Sequence, residues 1–501
     1  MDVQVTSGTV RGDEDVGVAR FLGVPYAAPP FGPRRMAPPE PVEPWAGVRD
    51  ATAYGPTAPK GDYPPQYQPL LREQVIPGDD CLNLNVWTPV SALDAGAGAG
   101  LPVLVWIHGG SFMNGSGSVL EYDGTAFARD GVVCVTINYR LAAEGFLFTE
   151  ADVAAGTANL GLQDQVAALR WVQDNVAAFG GDPGRVTVAG ESAGAMSVTT
   201  LLAMPSATGL FSQAITQSGA AAHTLTPEVA LTVARTLAEA LGVEPTREAV
   251  AGVALETLVA AASDLVVEVQ TAPDPVKWGG LALSLLPFAP VVDGTVLPRH
   301  PLEAFADGAA SDVRVLVGSN REESRLFLVA PGVIDHVDEP TLVGGAGAYG
   351  LSPEGLQLYR EHRPDASPGD VMAAVVTDWF FAVPAVRHAE ARAAGGGTTW
   401  AYRFDRPDRS ENHGFGACHA VEIPFVFDTI GLEQSKPLIG DTPSQAVADT
   451  AHATWVAFVT TGDPGWPAYD EQSRTVGVLT EVMTAVDDPD GDERATWDGI
   501  R

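Results

Sequence analysis

The sequence predicts an α/β protein with a large, mainly parallel central sheet that is flanked by helices. Apolar, strand-like runs recur along the 501 residues, and helical stretches lie between several of them. In addition, a glycine-flanked turn at Gly190–Gly194 joins a strand-like run to a helix-forming run. The strand-like runs are Leu101–Ile107, Gly131–Tyr139, Arg185–Ala189, Gln213–Gln217, Val313–Gly318 and Thr398–Phe404.

The clearest helical signal lies in residues 160–179, where apolar residues recur every three or four positions and so share one helical face. Two other regions, 226–285 and 326–394, interrupt the alternation of strands and helices. We expect both to be helical insertions that form the wall of a pocket. With these insertions, residues 1–501 are expected to form a single domain.

The turn at Gly190–Gly194 has the Gly-x-Ser-x-Gly pattern of a nucleophile elbow, with Ser192 at its centre. Glycines flank such a serine because the strained backbone leaves no space for a Cβ atom. The turn exposes the serine hydroxyl above the sheet, and the following helix offers amide groups to a developing negative charge. Ser192 is therefore the candidate nucleophile.

Composition restricts the partners and the compartment. The 63 acidic and 29 basic residues give a formal charge of −34, which disfavours nucleic acid and anionic membranes as partners. No run of about 18 apolar residues predicts a transmembrane helix. The amino-terminal residues alternate like a strand and lack a signal core, and three cysteines do not suggest a disulfide framework. We expect a cytoplasmic protein; a monomer and a homodimer are equally compatible with the sequence.

A second glycine motif, His108-Gly109-Gly110, follows the run Leu101–Ile107 directly. Paired glycines let backbone N–H groups approach a carbonyl oxygen, as in an oxyanion hole. The amides of Gly109, Gly110 and Ala193 are the expected donors. His108 precedes Ser192 and is expected to pack under the loop and to hydrogen-bond to backbone rather than act as a base.

The pattern leaves two late histidines as candidates for the general base. In hydrolases with this elbow the acid follows the serine and the histidine comes last. His413 and His419 both follow the run Thr398–Phe404, and spacing does not separate them.

The acid is expected just after a strand. Glu322 and Glu323 both follow the run Val313–Gly318, and Asp293 is a rival by position. Because Asp293 precedes a glycine, that pair is also typical of a simple turn. No cluster of histidine, cysteine and acidic residues has zinc-binding spacing, so we expect neither a metal nor an organic cofactor.

Over nearly its whole length the chain resembles the type-B carboxylesterases, the family that also contains the cholinesterases, and within it the bacterial enzymes. The resemblance implies the α/β-hydrolase fold. It rests on the ordered segments 21–27, 79–86, 138–141, 159–165, 179–183, 190–195, 217–219, 416–425 and 461–464.

The resemblance selects among the open alternatives. It implies that His419 is the base and Glu323 the acid, although Glu322-Glu323-Ser324 departs from the family's usual Asp-Glu-Gly and leaves Glu322 a competitor. Ser218 and Glu191 are implied as supporting residues. The pocket is expected to be apolar, and its candidate lining residues are Phe112, Met113, Phe288 and Phe327.

The family pattern also implies two structural ion pairs, Arg35 with Asp79 and Arg140 with Asp164. Cys81 falls where secreted relatives have a disulfide cysteine, but no cysteine precedes it in this chain. A bridge at that place therefore cannot form, which favours an intracellular setting.

These observations predict a serine hydrolase that cleaves carboxylic esters through an acyl-enzyme, with short-to-medium acyl or aromatic esters as substrates. Amide or carbamate hydrolysis by the same residues is the first alternative. A non-catalytic binding protein on the same fold is the second, and it is disfavoured because the nucleophile, acid and base are all present. A cysteine nucleophile at Cys418 is a further alternative, and it is disfavoured because Cys418 is adjacent to His419 only along the chain, where neighbouring side chains usually diverge.

Overall fold

The strands follow from the apolar runs of the sequence. The computed structural model describes residues 1–95 and 98–501. Strand β8 (below) is buried at all five residues, as expected for a strand that is covered on both faces. The strands are β1 Asp2–Val5, β2 Gly8–Arg11, β3 Asp13–Asp15, β4 Val18–Pro25, β5 Val48–Asp50, β6 Asn83–Pro89, β7 Leu101–Ile107, β8 Val133–Ile137, β9 Gly181–Glu191, β10 Gln213–Gln217, β11 Arg314–Asn320, β12 Thr399–Phe404, β13 Thr475–Leu479 and β14 Met483–Asp487.

Within the described residues the strands form a large and a small sheet. The large sheet has eleven strands in the order β14-β13-β12-β11-β10-β9-β7-β8-β6-β4-β3, and the small one has the order β1-β2-β5. Strand β7 pairs in parallel with β8 and β9, and β12 pairs in parallel with β11 and β13. Antiparallel pairs lie toward the edges, at β3-β4-β6-β8 and at β13-β14. The predicted α/β class with a mainly parallel sheet is confirmed.

The predicted runs 101–107 and 213–217 form β7 and β10 with the same bounds. The run 131–139 gives the shorter β8, because Gly131 has a φ of +80° and belongs to the turn before the strand. The run 185–189 lies inside the longer β9. Strands β4, β6, β13 and β14 lie outside the predicted runs.

The helices begin and end at recognisable capping residues. In α7 (below) the Thr226 side chain accepts the Val229 amide, Pro227 opens the first turn, and Gly242 follows the last with a φ of +68°. The helices are α1 Val90–Ala95, α2 Thr125–Arg129, α3 Ala142–Phe146, α4 Asp152–Ala155, α5 Leu160–Asn175, α6 Ala193–Leu202, α7 Pro227–Leu241, α8 Arg247–Ala251, α9 Leu255–Thr271, α10 Pro275–Trp278, α11 Leu281–Ser284, α12 Pro301–Ala306, α13 Arg325–Val329, α14 Glu339–Ala348, α15 Pro353–His362, α16 Pro368–Thr377, α17 Val383–Ala394, α18 Ile423–Val426, α19 Lys436–Ile439, α20 Gln445–Thr461 and α21 Gly491–Ala495.

The helix predicted over 160–179 is α5, followed by a 3₁₀ turn at Val176–Phe179. Region 226–285 carries α7 to α11. Region 326–394 carries most of α13, then α14 to α17, with a π-helical turn at Asp378–Ala382.

The chain divides into two compact units by internal contacts. The first unit is Met1–Asp62, Glu73–Ile215 and His223–Ala304, and the second is Tyr63–Arg72, Thr216–Ala222 and Phe305–Arg501. Insertion 226–285 belongs to the first unit and insertion 326–394 to the second. The single domain over residues 1–501 stays a prediction.

One helical segment of the described chain, Pro368–Ala394, is long and apolar enough to cross a membrane by length and composition alone. Its most apolar window is 56% buried inside the protein. Buried core helices meet the same two criteria, so this segment is weak evidence for a membrane span.

Candidate active site

Ser192 lies on a sharp turn between a strand and a helix of the first unit. Strand β9 ends at Glu191 and helix α6 begins at Ala193, and Ser192 between them has a φ of +54° and a ψ of −122°. A Cβ atom on Gly194 would lie 2.0 Å from the carbonyl oxygen of Ile107. The glycine is therefore required by close packing of the turn against β7, and the structure has the elbow that the sequence predicts.

The loop after β7 borders this turn because β7 and β9 are parallel neighbours, with Ile107 opposite Gly190. A Cβ atom on Gly109 would lie 3.2 Å from Cβ of Ser192 and 2.7 Å from Oε2 of Glu191. The amide of Gly109 thus belongs to a segment in direct contact with the serine. Gly110 follows with a φ of +106°, a conformation that favours glycine.

His108 packs under this loop, as predicted. Its Nδ1 lies 2.8 Å from the Gly109 carbonyl oxygen, and its ring stacks on Tyr139 with centroids 4.5 Å apart. The Tyr139 hydroxyl donates to the His108 carbonyl at 3.0 Å. Burial lowers the pKa of His108 to about 3, so the ring is neutral at ordinary pH and is a poor general base.

The second unit brings Glu323 and His419 together. Strands β11 and β12 are parallel neighbours, and the segments that follow them carry Glu323 and His419. Nδ1 of His419 lies 2.7 Å from Oε2 of Glu323, and the His419 amide donates to the Glu323 carbonyl at 3.1 Å. Oε1 of Glu323 accepts the Asn320 amide at 2.7 Å. This buried carboxylate is thus held on both oxygens.

Glu322 points to different partners from its neighbour. Its Oε1 accepts from Nε of Arg409 at 2.5 Å, and its Oε2 accepts the Ala417 amide at 3.1 Å. The structure therefore separates the two glutamates that the sequence left in competition, with Glu323 on the histidine and Glu322 on an arginine.

The other rivals have structural roles. Asp293 accepts the amides of Val296 and Leu297 at 3.0 and 2.7 Å, which closes a turn. His413 is exposed, with a φ of +59°. The hydrogen bonds of Asp293 are those of a turn, and His413 also lies in a turn.

A buried acid, Glu422, lies in a hydrogen-bonded cluster that the sequence analysis leaves out. Nδ2 of Asn320 donates to Oε2 of Glu422 at 2.6 Å and to the Cys418 carbonyl at 2.8 Å. Nε2 of Gln217 donates to Oε1 of Glu422 at 3.0 Å. Burial, and next the charge of Glu323, raise the pKa of Glu422 above its ordinary value. The available signal was a lone acid in an otherwise apolar run.

Ser218 and Glu191 are placed differently from each other. The Ser218 amide donates to the Gly318 carbonyl at 2.9 Å, and its buried hydroxyl has no hydrogen-bond partner among residues 1–95 and 98–501. Glu191 is buried in the first unit, with its carboxylate beside Gly109.

Cys418 is a core residue. Its thiol is fully buried, and Sγ lies 3.6 Å from the His419 carbonyl oxygen. Burial raises the pKa of the Cys418 thiol well above its ordinary value, and the charges of Glu323 and Glu422 raise it further. A thiolate at this place is disfavoured, which argues against a cysteine nucleophile.

Of the four predicted lining residues, Phe327 contacts the candidate base. Its ring centroid lies 5.2 Å from that of His419, and its exposed fraction is 39%. Phe381, which the sequence did not single out, lies 4.8 Å from the same imidazole. Phe112 and Phe288 are fully buried, and Met113 is 9% exposed. The two fully buried rings have the burial of core residues.

One of the two expected ion pairs is confirmed. Nη2 of Arg140 lies 2.6 Å from Oδ1 of Asp164, with both side chains almost fully buried. The pairing of Arg35 with Asp79 is wrong, because Arg35 binds Glu144 at 2.7 Å. Asp79 is exposed, whereas Glu144 is buried and needs a cation.

No group of three or more histidine, cysteine or acidic side chains in the described part of the chain could hold a metal ion.

Comparisons with known proteins agree with this geometry. A model of the carboxylesterase family matches residues 1–344 and 347–493. The chain is 38% identical to the para-nitrobenzyl esterase of Bacillus subtilis (strain 168), over 97% of this chain and 96% of that protein. It is also 38% identical to the phenmedipham hydrolase of Pseudarthrobacter oxydans, over 95% of this chain and 94% of that protein.

Solved structures give the same result. A carboxylesterase of Geobacillus stearothermophilus superposes with a TM-score of 0.85 and 37% identity, covering 99% of both chains. A solved para-nitrobenzyl esterase superposes with a TM-score of 0.84, also with 37% identity and 99% coverage of both chains. The chain therefore belongs to the carboxylesterase family, has the α/β-hydrolase fold and is a hydrolase of carboxylic esters.

Proposed function

We propose that the chain cleaves carboxylic esters through an acyl-enzyme, with Ser192 as nucleophile, His419 as general base and Glu323 as the acid that orients it. The observation that carries the proposal is the 2.7 Å contact between Nδ1 of His419 and Oε2 of Glu323. A carboxylate at this place favours the tautomer that is protonated on Nδ1, which leaves Nε2 as the basic nitrogen. The elbow conformation of Ser192 supports the choice of nucleophile.

In the proposed cycle His419 takes the hydroxyl proton as Ser192 attacks the carbonyl carbon. The C–O bond to the leaving alcohol then breaks, and His419 gives that alcohol its proton. A water molecule, deprotonated by the same imidazole, attacks the acyl-enzyme and releases the acid. Glu323 stays ionised throughout and stabilises the imidazolium.

The amides of Gly109, Gly110 and Ala193 are the proposed donors to the oxyanion. Support comes from the contact of Gly109 with Ser192 and from the position of Ala193 at the first turn of α6. The helix dipole adds to this effect, because its positive end lies at the amino terminus. Loss of one such donor typically costs about 10²–10³-fold in rate.

We propose short-to-medium acyl or aromatic esters as substrates. Phe327 and Phe381 present aromatic surface next to the imidazole of His419. The relative from Bacillus subtilis is named for para-nitrobenzyl esters, which favours an aromatic group on one side of the bond. The charge of −34 disfavours dianionic substrates.

The compartment and source are also proposals. We propose the cytoplasm of a bacterium, with neither nucleic acid nor a membrane as partner. Support comes from the two bacterial relatives and from the buried, free thiols of Cys81, Cys134 and Cys418, which suit a reducing environment.

The test is Ser192→Ala, assayed with p-nitrophenyl esters of graded acyl length and with the matching p-nitroanilides. We expect ester turnover to fall to background, with the melting temperature unchanged. Cys418→Ala is the matched control and should keep wild-type turnover. Ester turnover in Ser192→Ala at the wild-type rate would refute the assignment. Anilide cleavage as fast as ester cleavage would favour the amidase alternative.

A further inference from the structure

A buried lysine, Lys60, contacts the loop that carries the proposed oxyanion donors. Its side chain is 1% exposed, and Nζ donates to the Gly115 carbonyl at 2.8 Å. Nζ also lies 2.9 Å from Oε1 of Glu73, whose side chain is 11% exposed. Burial lowers the pKa of Lys60, whereas Glu73 acts to raise it. The pair thus places an ionic contact inside the first unit, next to the loop.

Glu73 also accepts hydrogen bonds from the same loop. Its Oε2 accepts the Gly115 amide at 3.0 Å and Nδ2 of Asn114 at 3.2 Å. Nδ2 of Asn114 also donates to the Gly61 carbonyl at 2.7 Å. Both backbone groups of Gly115 are therefore bound by side chains, and we name Lys60, Glu73 and Asn114 the loop brace.

The braced loop has an unfavourable backbone. Gly110, Ser111 and Phe112 are consecutive residues with positive φ, at +106°, +56° and +59°. Such conformations are unfavourable for residues other than glycine, and they persist only when surrounding contacts hold them. The Gly110 carbonyl accepts the Met113 and Asn114 amides, so the strained turn closes on a residue of the brace.

Gly115, which the loop brace holds, packs closely against Gly109. A Cβ atom on Gly115 would lie 2.4 Å from the Gly109 carbonyl oxygen and 2.4 Å from Nδ1 of His108. A shift of Gly115 would therefore displace Gly109, whose own packing reaches Ser192. We propose that Lys60, Glu73 and Asn114 are positioning residues for ester hydrolysis: they hold the amides of Gly109 and Gly110 in the direction of the developing oxyanion. This inference rests on the proposed oxyanion hole.

The test removes the ion pair without leaving a lone buried charge, since replacing both ions by apolar groups often preserves stability. We choose Lys60→Met with Glu73→Met, and as a conservative second variant Lys60→Met with Glu73→Gln, which keeps an acceptor for the Gly115 amide. Asp152→Asn is the matched control. It breaks a comparable pair of the first unit, Arg247 with Asp152, whose side chains are 12% and 1% exposed.

The readout is single-turnover acylation by p-nitrophenyl acetate, at a temperature where circular dichroism shows every variant folded. Oxyanion donors act mainly in the transition state. We therefore expect the maximal acylation rate to fall about tenfold or more, and the half-saturating ester concentration to change less than about twofold. Asp152→Asn should change neither value by more than about twofold.

A rate loss at least fivefold larger than that of Asp152→Asn supports the inference, and a smaller one overturns it. If the double methionine variant does not fold, the same threshold is applied to the glutamine variant. Ser192→Ala in the same assay separates the two hypotheses. Full acylation in Ser192→Ala refutes the proposed function. If acylation is lost in Ser192→Ala but is unchanged in the brace variants, only the role of the brace is refuted.

Discussion

Replacing Glu323 by glutamine tests the acid assignment with a change of a few atoms. In the native protein Oε2 accepts a hydrogen bond from Nδ1 of His419, and Oε1 accepts one from the Asn320 amide. The glutamine oxygen can keep the bond to Asn320, which leaves the NH₂ group facing Nδ1. Because that group donates, Nδ1 must be the unprotonated nitrogen, and the imidazole carries its proton on Nε2 instead. The histidine is then the wrong tautomer for a base.

The expected magnitude follows from this tautomer change. Loss of the correct tautomer and of the charge that stabilises the imidazolium costs about 10⁴-fold in kcat in other serine hydrolases. That factor equals about 5.4 kcal/mol of activation free energy. Folding should be little affected, because the side chain keeps its volume and its bond to the Asn320 amide.

Glu322→Gln is the matched control, one residue away and bound to Arg409 and Ala417 instead. We expect less than a tenfold loss of kcat there, because Glu322 does not touch the imidazole. Both variants would be assayed with p-nitrophenyl acetate, with circular dichroism to verify folding. A larger loss in Glu322→Gln than in Glu323→Gln would show that the wrong glutamate has been assigned.

Three further predictions concern stability and reactivity. Arg140→Met leaves the buried Asp164 without its cation and should lower the free energy of unfolding in urea by about 3–5 kcal/mol. Breaking the exposed pair of Arg11 with Asp2 should cost much less, and equal losses would contradict this. Burial raises the pKa of Asp378 to about 7, so between about pH 4 and 7 the folded state holds a proton that the unfolded state has released. The free energy of unfolding should therefore fall as the pH rises through this range. Asp378→Asn should remove that part of the pH dependence of the melting temperature, and an unchanged slope would count against it. Cys418→Ala should keep turnover, and iodoacetamide should leave the folded protein active, since burial raises the pKa of the thiol; rapid inactivation through Cys418 would disprove this.

The elbow was predictable because its signal is local. A strand-like run, a glycine on each side of Ser192 and a helix-forming run lie within one short segment, and the structure has that turn. The strand 101–107 was likewise predictable, because a continuous apolar run marks a strand that is buried on both faces. Strands β13 and β14, at one end of the large sheet, are partly exposed, and their pattern does not stand out from loops.

The proposed acid and base were not predictable from spacing. Glu323 and His419 lie on segments after adjacent parallel strands, but sequence order alone gives no strand order. Two glutamates, Asp293 and two histidines therefore remained, and the family resemblance selected one acid and one base. The error at Arg35 has a related cause: the pattern named Asp79, whereas burial of Glu144 decides where the cation is needed. Burial of an individual side chain is a tertiary property that a motif does not carry.

Three glutamates lie around the segment that carries His419, and each has different hydrogen-bond partners. Glu322 accepts from the guanidinium of Arg409, which holds its charge at the outer side of the segment. Glu323 accepts from Asn320 and the imidazole, so its charge is directed at the ring that must become cationic. Glu422 accepts from the side-chain amides of Asn320 and Gln217, and burial raises its pKa. Burial, and next the charge of Glu323, disfavour the ionised form of Glu422, as expected where two carboxylates are buried near one another. The residues around each carboxylate, rather than the carboxylates themselves, thus decide which one can serve the histidine.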